Sequence, residues 1–93
     1  SCCFMQYVYV LRSSKDNELY VGCTHDLQQR IVLHNTKKVP STKHRTPLKL
    51  IYYEAFLNKN DAFMREQFLK TGWGRNQLTK LLGHFFDSEK FGG

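Results

Sequence analysis

The chain of 93 residues is 41% hydrophobic and 14% aromatic, which excludes an intrinsically disordered protein and allows one domain with one modest core. Its 14 Lys and Arg residues exceed its 8 acidic residues, and the formal charge of +6 favours polyanionic partners such as nucleic acid. We therefore expect a single domain over residues 1–93, with a core at about 6–86 and a flexible tail at 87–93.

The first two elements are predicted to form a β-hairpin. Residues 6–12 are rich in β-branched and aromatic side chains, a polar turn covers 13–17, and residues 18–23 resume the strand pattern. Antiparallel pairing would place Tyr7-Val8-Tyr9 beside Tyr20-Val21-Gly22. We therefore expect the two tyrosine motifs to be neighbours in the sheet.

A helix and a long loop are predicted next. Thr24 can cap a helix over residues 25–34, with Asp26 in the first turn favourable to the helix dipole, and Asn35 can end it. Residues 36–48 are polar and basic and contain two prolines, so they are expected to form a long surface loop.

This stretch carries a basic region, because no acidic residue occurs between Asp26 and Glu54. Uncompensated cations of this kind are suited to following a phosphate backbone, although a solvated loop is the simpler alternative. The candidate nucleic-acid-binding residues are Arg30, Lys37, Lys38, Lys43, Arg45 and Lys49.

The remaining sequence predicts one more strand and two more helices. Residues 49–56 read as a third strand, and a second helix runs from Asn58 to about Lys70. Residues 71–74 contain two glycines and are expected to break the chain before a third helix at 75–86. The predicted order is therefore β-β-α-β-α-α, in an α+β fold.

The cysteines and the apolar runs indicate an intracellular protein. Cys2, Cys3 and Cys23 cannot form a complete disulfide framework, and they lack ligand spacing with the four histidines for a structural zinc site. The apolar run at residues 7–11 is too short to span a membrane. We expect a soluble cytoplasmic or nuclear protein without a membrane partner.

Glu66 is a candidate metal ligand, because it interrupts the apolar stripe of the second predicted helix. A partly buried carboxylate needs a partner, and a divalent cation is one possibility. The structural alternative is a salt bridge with Arg65, Lys70 or the basic region.

Arg30 and His34 are four residues apart, so they project from the same face of the first predicted helix. A guanidinium can hold a phosphate by two hydrogen bonds, and an imidazole near neutral pH can move or orient a proton. Each residue alone is more often an ordinary solvated side chain, and strand tyrosines are more often part of a sheet surface.

Taken together, these motifs resemble the GIY-YIG nuclease family in residue type and in order. Tyr7-Val8-Tyr9 departs from the usual Gly-Ile-Tyr, whereas Tyr20-Val21-Gly22 differs only by Val for Ile. Residues 30–35 are similar to the family's Arg-x-x-x-His-Asn element. Residues 43–47 and 50–54 are similar to its loop and third strand, so the resemblance covers residues 6–82.

The resemblance is to small stand-alone family members and to the nuclease half of the Slx-type structure-specific subunit, without its zinc-binding module. It implies a three-stranded antiparallel sheet flanked by helices, with the catalytic residues in a shallow groove on one sheet face. Those residues would be Tyr9, Tyr20, Arg30, His34 and Glu66, with Asn76 as a weaker candidate.

The activity implied is hydrolysis of DNA phosphodiester bonds with Mg²⁺ or Mn²⁺ held by Glu66, on branched or single-stranded DNA among other forms, in repair or recombination. Tyr9, aided by Tyr20 or His34, would activate or orient water, and Arg30 would stabilise the phosphate. Two alternatives are a catalytically inactive nucleic-acid-binding module of the same fold and a protein-interaction domain.

Overall fold

The computed structural model describes residues 5–92, with side chains through Glu89. Its elements, in chain order, are β1 Gln6–Ser13, β2 Leu19–Thr24, α1 Leu27–Asn35, β3 Leu48–Phe56, α2 Lys59–Leu69, α3 Gly72–Leu81 and α4 Gly83–Gly92. The predicted α+β class and three-stranded antiparallel sheet are confirmed. No helix in this described range is long and apolar enough to cross a bilayer. Cys2 and Cys3 lie outside the range, and Cys23 is a free thiol.

β1 is the central strand of the sheet, in the order β2-β1-β3. Both neighbours are antiparallel to it, and Tyr9 lies opposite Gly22 on one side and opposite Tyr53 on the other. The two tyrosine motifs are therefore adjacent, as predicted. Their tyrosines are not directly paired, because Tyr20 lies opposite Leu11.

The two faces of the sheet pack against different helices, since alternate side chains of β1 point in opposite directions. Val8 and Val10 are fully buried in a cluster that includes Ala62 of α2 and Leu78 of α3. On the other face, buried residues of β1 and β3 pack against α1; the set is Tyr9, Leu11 and Leu48, with Leu27 and Ile31 of α1 beside it. The sheet therefore separates α1 from α2 and α3.

Asp26, and not Thr24, caps the first helix. The Asp26 carboxylate accepts a hydrogen bond from the Gln29 N–H at 3.1 Å, which satisfies one of the free amides of the first turn. The Thr24 hydroxyl instead accepts from the Asp26 N–H at 3.1 Å. α1 ends at Asn35 as predicted, and the Asn35 side chain bonds both the N–H and the C=O of Leu48, which ties α1 to β3.

The predicted break at residues 71–74 is confined to the junction of α2 and α3. The Thr71 hydroxyl accepts from the Gly74 N–H at 3.1 Å, so Thr71 caps α3 and the glycines lie in its first turn. Gly74 is required there because a Cβ would lie 2.2 Å from the Phe68 carbonyl oxygen. The sequence predicts a break at the two glycines, whereas Gly74 permits a close helix–helix corner.

The predicted third helix is in fact two helices, and the predicted tail is helical through Gly92; Gly93 lies outside the described residues. The break falls at Leu82, which caps the C-terminal end of α3 and precedes the first residue of α4, Gly83. The α4 helix is held to the end of β1 by Arg12, whose guanidinium lies 5.9 Å and 5.8 Å from the ring centroids of Phe85 and Phe86. Arg12 also forms an ion pair with Glu89.

The loop between α1 and β3 is not wholly on the surface. Val39 is 8% exposed and Thr42 is 1% exposed, so the loop turns inward between its basic residues. Consecutive turns are fixed by backbone bonds from the Thr42 N–H to the Val39 carbonyl and from the Arg45 N–H to the Thr42 carbonyl. This inward turn brings Thr42 against the first helix.

Candidate active site

A pocket of about 510 Å³ lies at the outer edge of β2. All five residues that the sequence singled out as catalytic line it: Tyr9, Tyr20, Arg30, His34 and Glu66. The expectation of a groove on one sheet face is wrong, however. Arg30 comes from α1 on one face, whereas Glu66 comes from α2 on the opposite face, so the pocket wraps around the β2 edge.

Gly22 allows the phenol of Tyr9 to reach this edge from the central strand. A Cβ on Gly22 would lie 2.3 Å from the Tyr9 hydroxyl oxygen and 2.4 Å from Cζ. The ring therefore crosses β2 through the space that any other residue would fill. Only a glycine opposite Tyr9 permits this path, which gives the glycine of the Tyr20-Val21-Gly22 motif a physical role.

The Tyr9 hydroxyl is the centre of a hydrogen-bond chain. It accepts from Nε of Arg30 at 3.2 Å and lies 3.0 Å from Nε2 of His34. Nδ1 of His34 is 2.7 Å from the Thr42 hydroxyl. The other three residues of this chain are nearly inaccessible to solvent: Tyr9 is 2% exposed, His34 is 4% exposed and Thr42 is 1% exposed. The chain therefore fixes the phenol in one position.

Burial lowers the pKa of His34, and the positive charge of Arg30 lowers it further. The imidazole is therefore neutral at pH 7, with one nitrogen as donor and the other as acceptor. If Nδ1–H donates to Thr42, Nε2 is left to accept the proton of the Tyr9 hydroxyl. That tautomer makes His34 a proton acceptor for Tyr9.

The depressed pKa of His34 predicts a specific loss of stability in acid. Because the folded-state pKa lies below the ordinary value of 6.5, the stabilisation is complete above that pH and is lost as pH falls through the folded value. Urea unfolding at pH 7.5 and pH 5 should therefore show a larger loss of stability for the unmutated protein than for His34→Gln. The other three histidines are common to both proteins. Equal losses would show that His34 is not buried in its neutral form.

Tyr20 is held differently from Tyr9. Its hydroxyl donates to Oδ2 of Asp16 at 3.0 Å, and Asp16 also forms an ion pair with Nε of Arg45 at 3.1 Å. Burial, together with the hydrogen bond to this carboxylate, raises the pKa of Tyr20. Tyr20 therefore keeps its proton and is a poorer base than its place in the motif suggests.

Glu66 has a cationic partner in this structure. Its Oε2 lies 3.0 Å from Nζ of Lys70, one helical turn further along the chain, while Arg65 pairs with Glu54 instead. The Glu66 side chain is only 15% exposed, and Lys70 also lines the pocket. Of the two alternatives weighed for Glu66, the salt bridge with Lys70 is therefore present.

A metal ion at Glu66 would have few protein ligands. Within the residues that the structure describes, no three His, Cys, Asp or Glu side chains come together as a metal-binding group. A single carboxylate at a pocket wall fits a Mg²⁺ or Mn²⁺ ion that keeps most of its water and completes its shell with a substrate oxygen.

The predicted basic residues are mostly outside the pocket. Only Arg30 lines it, whereas Lys37, Lys38 and Lys43 are exposed on the loop. Arg45 is not uncompensated, because the β1–β2 turn brings Asp16 to it. Nζ of Lys49 lies 5.8 Å from the ring centroid of Phe85.

Some residues at the pocket were not predicted. Asn76 is exposed on α3 and does not line the pocket, whereas its neighbour Arg75 does, as does Lys70. Thr42 is another pocket residue that was not predicted. The sequence names Lys70 as a possible partner of Glu66, and their i, i+4 spacing fits that pairing, but no local pattern indicates Thr42 or Arg75.

Comparison with known proteins identifies the family of this chain. Residues 5–78 match the family model described as the GIY-YIG catalytic domain. A UPF0213 protein of Clostridium perfringens is 43% identical over 79 residues, covering 84% of this chain and 83% of the relative. A UPF0213 protein of Lactococcus lactis subsp. cremoris is 41% identical over 86 residues, covering 91% and 87%. No solved structure matches the chain significantly. The chain therefore belongs to the GIY-YIG catalytic domain family, whose domains are of the nuclease type.

Proposed function

We propose that the protein is a divalent-metal-dependent endonuclease that hydrolyses DNA phosphodiester bonds. The observation that carries this proposal is the hydrogen-bond chain from Arg30 through Tyr9 to His34, in the same pocket as the Glu66 carboxylate. A guanidinium, a proton relay and a carboxylate able to hold a metal ion together suit in-line attack of water on a phosphodiester.

The relay begins at Tyr9. As the water oxygen bonds to phosphorus, its proton passes to the Tyr9 oxygen, and the Tyr9 proton passes over 3.0 Å to Nε2 of His34. The phosphorus–oxygen bond to the leaving group then breaks, and the leaving oxygen takes a proton from solvent. His34 returns its extra proton through the Tyr9 hydroxyl to solvent as the products leave, which restores the neutral imidazole. This relay removes the need for a free phenolate, which is rare at neutral pH for a tyrosine.

Arg30 has two functions in this arrangement. Its Nε–H donates to the Tyr9 oxygen and so stabilises negative charge that develops there during the proton transfer. Its remaining guanidinium N–H groups are available to a phosphate oxygen at the pocket, because Arg30 is only partly buried. The positive charge also keeps His34 neutral before the reaction.

Glu66 would hold the Mg²⁺ or Mn²⁺ ion from the α2 side of the pocket. The ion, when bound, supplies Lewis-acid stabilisation of the phosphoryl and leaving oxygens. Because Glu66 is the single acidic member of the α2 wall, metal affinity without DNA would be weak, and substrate and metal would bind cooperatively.

The substrate we propose is DNA, and the biological process is DNA repair or recombination. The net charge of +6 supports binding to a polyanion, and the exposed lysines of the loop beside the pocket extend the positive surface. An inactive DNA-binding module of the same fold would explain the charge but not a retained Tyr9–His34 relay.

Single-stranded, duplex, flap and branched DNA should be incubated with the protein in Mg²⁺, in Mn²⁺ and in EDTA. We expect cleavage of at least one substrate with either metal, and none in EDTA or with Arg30→Ala. Salt-sensitive DNA binding without cleavage of any substrate would favour the inactive module. Neither binding nor cleavage would favour a protein-interaction domain.

A further inference from the structure

The salt bridge between Glu66 and Lys70 occupies the carboxylate that the proposed nuclease needs for its metal. Oε2 of Glu66 and Nζ of Lys70 are 3.0 Å apart, and both residues line the pocket. Glu66 is 15% exposed, so its charge needs a partner, whereas Lys70 is 47% exposed. The ammonium is therefore the more mobile member of the pair.

A divalent cation on Glu66 would repel the ammonium group of Lys70 at this distance. An ammonium and a divalent ion on one carboxylate repel each other strongly, because they would lie only a few ångströms apart. The long side chain of Lys70 has several rotatable bonds and reaches water, so it can leave without disturbing α2.

A DNA phosphate would be an alternative partner for the ammonium group of Lys70. Arg75, at the start of α3, lines the same pocket and is exposed. Together with Lys70 it gives the α2–α3 side of the pocket two cations, opposite Arg30 on the α1 side. A DNA phosphate at this wall would attract the ammonium released from Glu66.

We propose that Lys70 is a positioning residue that neutralises Glu66 in the free protein and moves to a DNA phosphate when a divalent cation binds. The proposal rests on the proposed function, since it assumes that Glu66 binds the metal. It predicts that Lys70 weakens metal binding in the free protein and strengthens DNA binding in the metal-loaded protein.

The first test is Mn²⁺ binding to the free protein, followed by electron paramagnetic resonance. We expect Lys70→Met to bind Mn²⁺ about threefold to tenfold more tightly than the unmutated protein, because no ion pair has to be broken. Lys70→Arg should bind as weakly as the unmutated protein. Lys59→Met, at the opposite end of α2, is the matched control and should change nothing. Lys70→Gln serves as the second neutral variant if Lys70→Met does not fold.

The second test is the salt dependence of DNA binding, with Ca²⁺ as a divalent ion that takes oxygen ligands. With Ca²⁺, Lys70→Met should reduce the salt slope by about 1, whereas in EDTA the slope should match that of the unmutated protein. A merely structural role for Lys70 would change both slopes equally and would overturn the proposal.

Glu66→Gln separates the two proposals. If Mn²⁺ binding depends on Glu66 but Lys70→Met binds no more tightly, the role of Lys70 is refuted and the proposed function stands. If Glu66→Gln binds Mn²⁺ as tightly as the unmutated protein, the metal assignment fails, and the inference about Lys70 fails with it.

Discussion

Gly22→Ala is expected to remove nearly all cleavage while leaving every polar group of the pocket in place. The new Cβ would lie 2.3 Å from the Tyr9 oxygen, so the buried ring has to leave its position over β2. Displacement of a reacting group by about 1 Å costs roughly 100-fold in rate, and we expect at least that loss. Overpacking of this kind also destabilises by about 1–3 kcal/mol, which urea unfolding would measure.

Gly83→Ala is the matched control for this substitution. A Cβ on Gly83 meets nothing within 4 Å, so stability and cleavage should be nearly unchanged. A double-mutant cycle isolates the clash, because Gly22→Ala should cost much less stability in a Tyr9→Leu background, where the phenol is absent. If Gly22→Ala cleaves DNA at the unmutated rate, the path of Tyr9 across Gly22 is not what positions the phenol.

Tyr9→Phe and Tyr20→Phe are expected to have very different effects, although both residues lie in the paired tyrosine motifs. Tyr9→Phe retains the ring but removes the proton relay to His34, so single-turnover cleavage should fall by about 100-fold to 10,000-fold. Tyr20→Phe removes a hydrogen bond to Asp16 outside the relay, and cleavage should stay within about tenfold.

Measuring the stability of both variants shows whether the difference in their cleavage rates comes from lost proton transfer or from unfolding. Tyr20→Phe loses one partly exposed hydrogen bond and should be destabilised by about 0.5–1.5 kcal/mol. Tyr9→Phe leaves Nε2 of His34 and Nε of Arg30 without that partner, so it should be destabilised by at least as much. A reversed order, with Tyr20→Phe inactive and Tyr9→Phe active, would assign the proton transfer to Tyr20.

The strands and their pairing could be predicted because they depend on local patterns. Residues 6–12 and 18–23 are rich in β-branched and aromatic side chains on either side of a polar turn. The observed β1 differs from the prediction by one residue at one end, and β2 by one residue at each end. The helix beyond residue 86 could not be predicted, since α4 packs on β1 through the contacts of Phe85 and Phe86 with Arg12. That contact joins parts of the chain far apart in sequence.

The residues of the candidate site could be predicted from the sequence, but their arrangement could not. Spacing and residue type identified the catalytic candidates on α1 and α2, which do line one pocket. Their arrangement around the β2 edge was not predictable, because it depends on which sheet face each helix covers. The role of Gly22 appears only when the position of the Tyr9 ring is known. Thr42 joins the site through a loop whose inward turn has no sequence pattern.

Hydrolysis of DNA in this pocket with a metal ion held by Glu66 is tested by the single-turnover cleavage rate in Mg²⁺ of unmutated and Glu66→Gln protein, prepared in parallel. We expect the unmutated protein to cleave and Glu66→Gln to be slower by at least about 1,000-fold, since loss of the metal removes several kcal/mol of transition-state stabilisation. Equal rates for the two preparations would show that Glu66 does not hold a metal ion that the reaction needs.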